Sequence, residues 1–354
     1  MKATTFAIHL TYQCPLTCDH CCFSSGPNVT DKLDYDNIVR TIRSLNRDQY
    51  KLVAFTGGEP FLFGDKLFDF VSIANEMGFA TRIVTSAFWS VSEEISFSKL
   101  SKLKSCGLNE ISISWDDYHE RQSAKKISFQ NVVNAVAACH SLGISSAINI
   151  VREADSYWTR ARVLEELEDY IKDGDLIVVE SPINLTGRAK EVLSDSQLIK
   201  DSFIGPCPYV LTGPTLSAKN KLLACCGVIP ETSELVFSSE HIPENVNDVV
   251  EQMDRSALLN WLHIRGPYHI MSLIATSKDL NLPNKESIGG NCEACSILFS
   301  NPEYSQHIGE IVLENLDLIS DEVTLYHELG FLDSSSDYSH ITTLWSDVHP
   351  LRIN

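Results

Sequence analysis

Apolar, often β-branched runs recur through the first half of the chain at Thr5–Leu10, Leu52–Phe55, Arg82–Thr85, Glu110–Ser114, Ala147–Val151 and Leu176–Val179. These read as strands. Between them apolar residues fall at helical spacing over Tyr35–Leu45, Lys66–Met77, Phe97–Cys106, Phe129–Leu142 and Arg160–Tyr170. Gly78, Gly107, Gly143 and Gly174 stand at or just past the ends of apolar-periodic runs, where helices take C-terminal glycine caps. Asp34 and Asp65 precede helical runs as N-caps. A strand and a helix about every 30 residues is the period of a βα unit, with parallel strands joined by right-handed crossovers. Six units predict an α/β fold, a partial (βα)6 barrel shorter than the ~250 residues of the eightfold form. Chemistry in such a barrel gathers at the C-terminal ends of the strands.

After Gly187 the texture changes. Strand signals become short, cysteines return, and Gly205-Pro206-Cys207-Pro208 and Gly213-Pro214 break the chain. Helical spacing resumes at Val246–Met253, Ala257–Leu262 and Tyr304–Leu316. We expect a barrel over residues 1–195, a smaller cysteine-bearing domain over 196–300 and a helical extension over 301–354. The length of 354 residues agrees, at roughly 150 residues per domain.

Composition narrows the function. The chain carries 47 acidic and 28 basic side chains, a formal charge of −19. Such a surface repels phosphate backbones and anionic lipid, so neither nucleic acid nor membrane is an expected partner. No apolar run approaches the roughly 18 residues of a membrane span, and the N-terminus lacks the pattern of a signal peptide. A cytoplasmic location is expected. There, eleven cysteines read as metal ligands rather than as disulfides.

Cys14, Cys18 and Cys21 form a CxxxCxxC triplet directly after the first strand. Three thiolates at this spacing can wrap one face of a four-iron four-sulfur cubane and leave its fourth iron open. A zinc site would need a fourth ligand, from His20 or Cys22. His9 and His20 otherwise read as supporting or surface residues, and Cys22, Cys106 and Cys139 as packing.

The triplet, together with Thr56-Gly57-Gly58-Glu59-Pro60 at the end of the second strand, resembles the radical S-adenosylmethionine (SAM) enzymes and their GGEP motif. The resemblance spans roughly residues 5–190. It implies that Cys14, Cys18 and Cys21 hold a catalytic 4Fe-4S cluster whose open iron takes the amino and carboxylate groups of SAM. Gly57, Gly58, Glu59 and Pro60 would grip the methionine end, Glu59 as acceptor for its ammonium. Ser86, Ser114, Asp116, Asn149 and Arg188, at or beyond the ends of later strands, are the further cofactor-binding residues implied. Asp117, Tyr118, His119 and Glu120 lie on the same rim as candidate substrate contacts.

Downstream, Cys207, Cys225, Cys292 and Cys295 resemble the ligand set of the SPASM extension found on many members, in its shorter, twitch-like form. Asn220 stands where the pattern has a glycine, and Asn tolerates the same left-handed turn. No cysteine follows Cys295, so a single auxiliary 4Fe-4S cluster is implied; a structural zinc site with the same ligands is the alternative. Cys226 directly follows one of these ligands without belonging to the set, and its thiol suits it to return a hydrogen atom to a substrate radical.

The activity implied is reductive cleavage of SAM to methionine and a 5′-deoxyadenosyl radical, which abstracts hydrogen from an unactivated carbon. A flavodoxin or ferredoxin would supply the electron. Relatives with one auxiliary cluster modify ribosomal precursor peptides, by epimerisation or cross-linking, or act on aminosugars and aminocyclitols. Peptide modification is the leading expectation, although a first cysteine at position 14 leaves no expected winged-helix leader-binding module ahead of it. A non-catalytic iron–sulfur carrier is the reading from another class, and it would need no GGEP grip. Anaerobic reconstitution should load about eight irons per chain, and replacing Cys14, Cys18 and Cys21 by Ala should leave about four. Full iron in the triple variant, or never more than about four in the parent, overturns the two-cluster expectation.

Overall fold

The computed structural model describes residues 4–122, 127–171, 176–197, 199, 204–227, 235–238, 242–243 and 245–329. Gly174 and residues 330–354 of the expected C-terminal extension lie outside the described residues.

The first half is the expected α/β partial barrel. Its strands are β1 Thr5–Thr11, β2 Leu52–Gly57, β3 Ala80–Thr85, β4 Glu110–Ser114, β5 Ser145–Arg152 and β6 Leu176–Pro182. Each pairs in parallel with the next. The intervening helices are α1 Tyr35–Ser44, α2 Lys66–Glu76, α3 Glu93–Ser105, α4 Asp117–Glu120, α5 Phe129–Leu142, α6 Arg160–Leu167 and α7 Arg188–Val192.

Local chemistry explains most helix ends. The Asp34 carboxylate accepts from Asp36 N–H to start α1, and Ser92 does the same from Ile95 N–H for α3. Because Ser92 caps it, α3 begins four residues before its apolar periodicity does. Ser128 and Asn131 form a reciprocal capping box at α5, which ends on left-handed Gly143 (φ 61°). Asp65 departs from expectation. It makes no side-chain cap bond at α2 and instead pairs with Lys102 Nζ at 3.1 Å.

The second half joins the same sheet. Beyond β1 lie β7 Thr215–Leu216, then β8 Leu222–Leu223 and β9 Val236–Ser238, giving the order β6-β5-β4-β3-β2-β1-β7-β8-β9. β7 runs parallel to β1, with Ala7 opposite Thr215 and Ile8 opposite Leu216; β8 and β9 are antiparallel. Paired on both edges, β1 is buried almost throughout. The β7–β8 turn passes through Asn220 at φ 61°, the left-handed conformation its sequence position asked for.

Helices then follow: α8 Val246–Asp254, α9 Ala257–Arg265, α10 Pro267–Lys278, α11 Asn291–Ser300, α12 Pro302–Ser305, α13 Ile308–Glu314 and α14 Leu316–Glu328. The expected run Tyr304–Leu316 is thus split among α12, α13 and α14. No described helix is long and apolar enough to cross a membrane.

His9 is a core residue rather than a surface one. It is fully buried on β1, with Nδ1 3.2 Å from the Tyr12 hydroxyl and its ring 4.6 Å from Phe23. Burial lowers its pKa from 6.5 to about 3, so the folded chain keeps it neutral where the unfolded chain takes a proton. Its contribution is intact above pH ~6.5 and is lost progressively as the pH falls toward ~3. Between neutrality and pH 5 this one group should remove up to about 2 kcal/mol of stability. Melting temperature should fall over that range, and His9→Gln should flatten the slope.

Candidate active site

The segment between β1 and α1 carries Cys14, Cys18 and Cys21, and backbone fixes it from two sides. On one side Gly58 N–H donates to Thr11 O at 2.6 Å and Glu59 N–H to Gln13 O at 3.0 Å. A Cβ on Gly58 would stand 2.2 Å from Gln13 O, so only glycine permits this approach. On the other side Gly187, at φ 56°, comes so close that a Cβ would meet Cys22 O at 2.1 Å. Arg188 then donates through its backbone N–H to Cys21 O (3.0 Å) and through its guanidinium to Cys18 O (2.8 Å) and Ser25 O.

Above this loop opens a cavity of about 370 Å³ at the C-terminal ends of the strands. Cys14, Cys18 and Cys21 line it together, and Ser25 N–H donates to Cys21 Sγ at 3.3 Å. Burial, followed by the Asp116 carboxylate and the neighbouring cysteines, pushes the Cys18 thiol above its usual range. A metal that binds there must displace its proton. Three converging sulfurs, one already accepting an N–H, beside room for a further ligand fit an iron–sulfur cluster with one open iron.

The cofactor residues expected from the sequence divide into two groups. Gly57, Gly58, Ser86 and Ser114 line the cavity. Glu59, Pro60, Asp116, Asn149 and Arg188 stand behind its wall. Glu59 is fully buried, and its carboxylate accepts from Thr85 Oγ1 (2.8 Å), Ser86 Oγ (2.8 Å), Ser86 N–H (3.0 Å) and Phe61 N–H (3.2 Å). It ties the end of β2 to the end of β3, while burial pushes its carboxyl up against those donors. Pro60 begins the short 3₁₀ turn Pro60–Phe63. Asn149 donates to Ser112 Oγ at 2.6 Å, and Arg188 is committed to the cysteine loop.

Asp116 has a different employment. Its Oδ1 accepts from His119 N–H (3.0 Å) and lies 2.8 Å from His119 Nδ1; its Oδ2 accepts from Val151 N–H (3.3 Å) and lies 3.4 Å from His20 Nε2. Burial opposes its charge, but the two imidazoles and these hydrogen bonds prevail and hold its carboxyl well below the usual range. Among the four rim candidates only His119 lines the cavity. Asp117 accepts from Tyr157 and Trp158 N–H, and the Tyr118 hydroxyl donates to Glu153. Glu120 is exposed outside it.

The second cysteine set also converges. Cys207, Cys225, Cys292 and Cys295 surround a small gap of about 30 Å³. Gly227 N–H donates to Cys225 Sγ at 3.4 Å, and the Cys225 and Cys295 thiols are pushed well up by burial and by their neighbours. The CxxC occupies the first two turns of α11, a helix the sequence texture had not disclosed. Cys226 lies beside the set and also lines the larger cavity, as do Gly227 and Cys292; it is exposed. The two cysteine sites therefore share a wall. Cys22 also lines the cavity, as do Phe23 and Asn184, which carried no distinguishing signal in the sequence; the pairing of His20 with His119 is a through-space fact.

The radical SAM superfamily model matches residues 8–152, which include the cysteine triplet and the ends of β1 to β5. The chain carries a radical SAM domain. YydG of Bacillus subtilis (strain 168), whose description assigns it to peptide biosynthesis, is 22% identical over 313 residues, covering 86% of this chain and 94% of its own. The structure of anSMEcpe with bound AdoMet is 12% identical at a TM-score of 0.50, covering 92% of this chain and 99% of that one, and supports the fold. Streptococcus suis SuiB bound to SAM is 13% identical at a TM-score of 0.41, over 85% of this chain and 75% of that one. The radical SAM family uses SAM and a 4Fe-4S cluster, and the matched domain over residues 8–152 indicates an enzyme.

Glu59→Gln should lower stability by about 1–3 kcal/mol, because one end of the amide must turn an N–H toward an existing donor. SAM affinity of the folded, iron-loaded variant should be unchanged. Thermal melts and equilibrium dialysis with SAM check both parts; weaker SAM binding at parental stability would return Glu59 to the ligand.

Proposed function

We propose that this radical SAM enzyme modifies a ribosomally made precursor peptide by inverting a Cα centre. The observation that carries the reading is Cys226, a thiol outside the four-cysteine set that faces the cavity of the cysteine triplet. The described peptide-biosynthesis role of YydG, similar over most of both chains, supports the substrate class.

In this reading Cys14, Cys18 and Cys21 hold the catalytic cluster, and Gly57, Gly58, Ser86 and Ser114 form the bed for SAM. Cys207, Cys225, Cys292 and Cys295 hold one auxiliary cluster in a twitch-like unit over 196–300. When bound, the cluster and SAM supply a carbon radical that removes one hydrogen atom from the substrate. The remaining work falls to the chain. The cavity walls exclude water and orient the peptide, and Cys226 gives its S–H hydrogen to the opposite face of the substrate radical. That leaves Cys226 one hydrogen atom short; one electron from a flavodoxin or ferredoxin partner and one proton from solvent restore the thiol.

The test is turnover in heavy water on a candidate precursor peptide. The product should keep the parent's hydrogen count and carry one solvent deuterium. Cys226→Ala should retain iron and SAM cleavage and lose the inverted product. A product two mass units lighter, made equally well by Cys226→Ala, would replace inversion by cross-linking or dehydrogenation. Turnover of an aminosugar with no reaction on peptide would change the substrate class.

A further inference from the structure

The imidazole pair held by Asp116 is not used by the proposed reaction, yet it sits against the cysteine triplet. Cys18 Sγ and one ring nitrogen each of His20 and His119 lie within 4.8 Å of one another. Both histidines line the cavity that Cys14, Cys18 and Cys21 line. Asp116, 1% exposed, orients them from behind through one oxygen each. An imidazole held by a buried carboxylate beside a sulfur ligand is an arrangement in which histidines bind metals, since the carboxylate fixes tautomer and ring direction.

The two rings are not equivalent. His119 engages Asp116 through Nδ1 at 2.8 Å, which leaves Nε2 as its remaining donor atom. His20 meets Asp116 more loosely, at 3.4 Å, and is stacked on Tyr118 at 4.7 Å and edge-on to His119 at 5.1 Å; its Nδ1 is buried without a hydrogen-bond partner. His20 thus braces His119 from within the cysteine loop.

We propose that His119, oriented by Asp116, ligates the open iron of the catalytic cluster while SAM is absent, and that SAM displaces it. The inference rests on Cys14, Cys18 and Cys21 being the cluster ligands. His119 and Cys18 line the same cavity and offer ligand atoms within 4.8 Å of each other, so a cluster held by Cys18 would lie beside this imidazole. Imidazole is a suitable ligand for iron. The exchange balances without redox change. One iron–imidazole bond breaks, bonds to the amino nitrogen and carboxylate oxygen of SAM form, and the proton shed by the SAM ammonium passes to water. Until then the nitrogen keeps water and oxygen from the vulnerable iron.

The experiment is pulsed electron paramagnetic resonance on the reduced holoenzyme, with iron content and visible absorption recorded alongside. The SAM-free enzyme should show a strong nitrogen coupling that shifts on ¹⁵N-histidine labelling and disappears when SAM is added. The coupling should be absent in His119→Ala and His119→Phe, and present in His20→Ala. With its competitor removed, His119→Ala should also bind SAM several-fold more tightly. A loaded parent cluster without histidine coupling overturns the proposal whether or not the variants fold. Coupling that survives in His119→Ala, or is lost only in His20→Ala, overturns the assignment to His119. Failure of the parent to load a SAM-responsive cluster would instead refute the cluster assignment on which the proposal rests.

Discussion

Backbone-to-backbone contact at Gly58 and Gly187 is the constraint on which the rest of this molecule depends. Both glycines approach the cysteine loop more closely than any side chain would allow, one from the end of β2 and the other from beyond β6. Between them they fix main-chain atoms rather than side chains, so the three thiols are set by the geometry of the barrel itself. Arg188 completes the hold with hydrogen bonds to carbonyl oxygens, and Glu59 secures the next two strand ends to each other. The loop therefore has little freedom to relax. Positioning of this kind is what open-shell chemistry requires of a protein whose cofactor carries the reactivity.

The second region completes the cavity as well as holding a cysteine set of its own. Gly227 and Cys292 belong to the linings of both the large cavity and the small gap. A change of side chain at either position would alter two chemical environments at once. Cys226 stands at that junction, lining the large cavity while its neighbour Cys225 lines the small gap.

Much of the fold was legible because the barrel is periodic. β4 was readable at both ends, and α5 ran from Phe129 to Leu142 as its apolar spacing indicated. The exception at α3 has a local cause, since Ser92 starts the helix ahead of its apolar residues; α10, by contrast, buries Pro267, Ile270, Met271, Ile274 and Ala275 at plain helical spacing. The site was legible where chemistry is encoded by close spacing, as in the cysteine triplet and Gly57-Gly58. It was less so where a carboxylate's partners come from distant strands. Glu59 and Asp116 each carry a charge near a ligand site, and nothing in the linear order reveals that Thr85, Ser86, His119 and Val151 already occupy their oxygens. Likewise, β7 is only two residues long, and its pairing with β1 follows from the return of the chain, not from any run of apolar residues.

That short pairing governs how such enzymes can be diversified. A module attached by a linker can be exchanged freely, but this one is a continuation of the barrel sheet. Any graft of a different C-terminal region must reproduce a parallel strand in register with Ala7 and Ile8, or leave the most buried strand of the barrel as a bare edge. Recombination between relatives, natural or designed, is thereby restricted to partners that share this seam. New specificity is more accessible by altering residues within the cavity than by replacing the half that closes it.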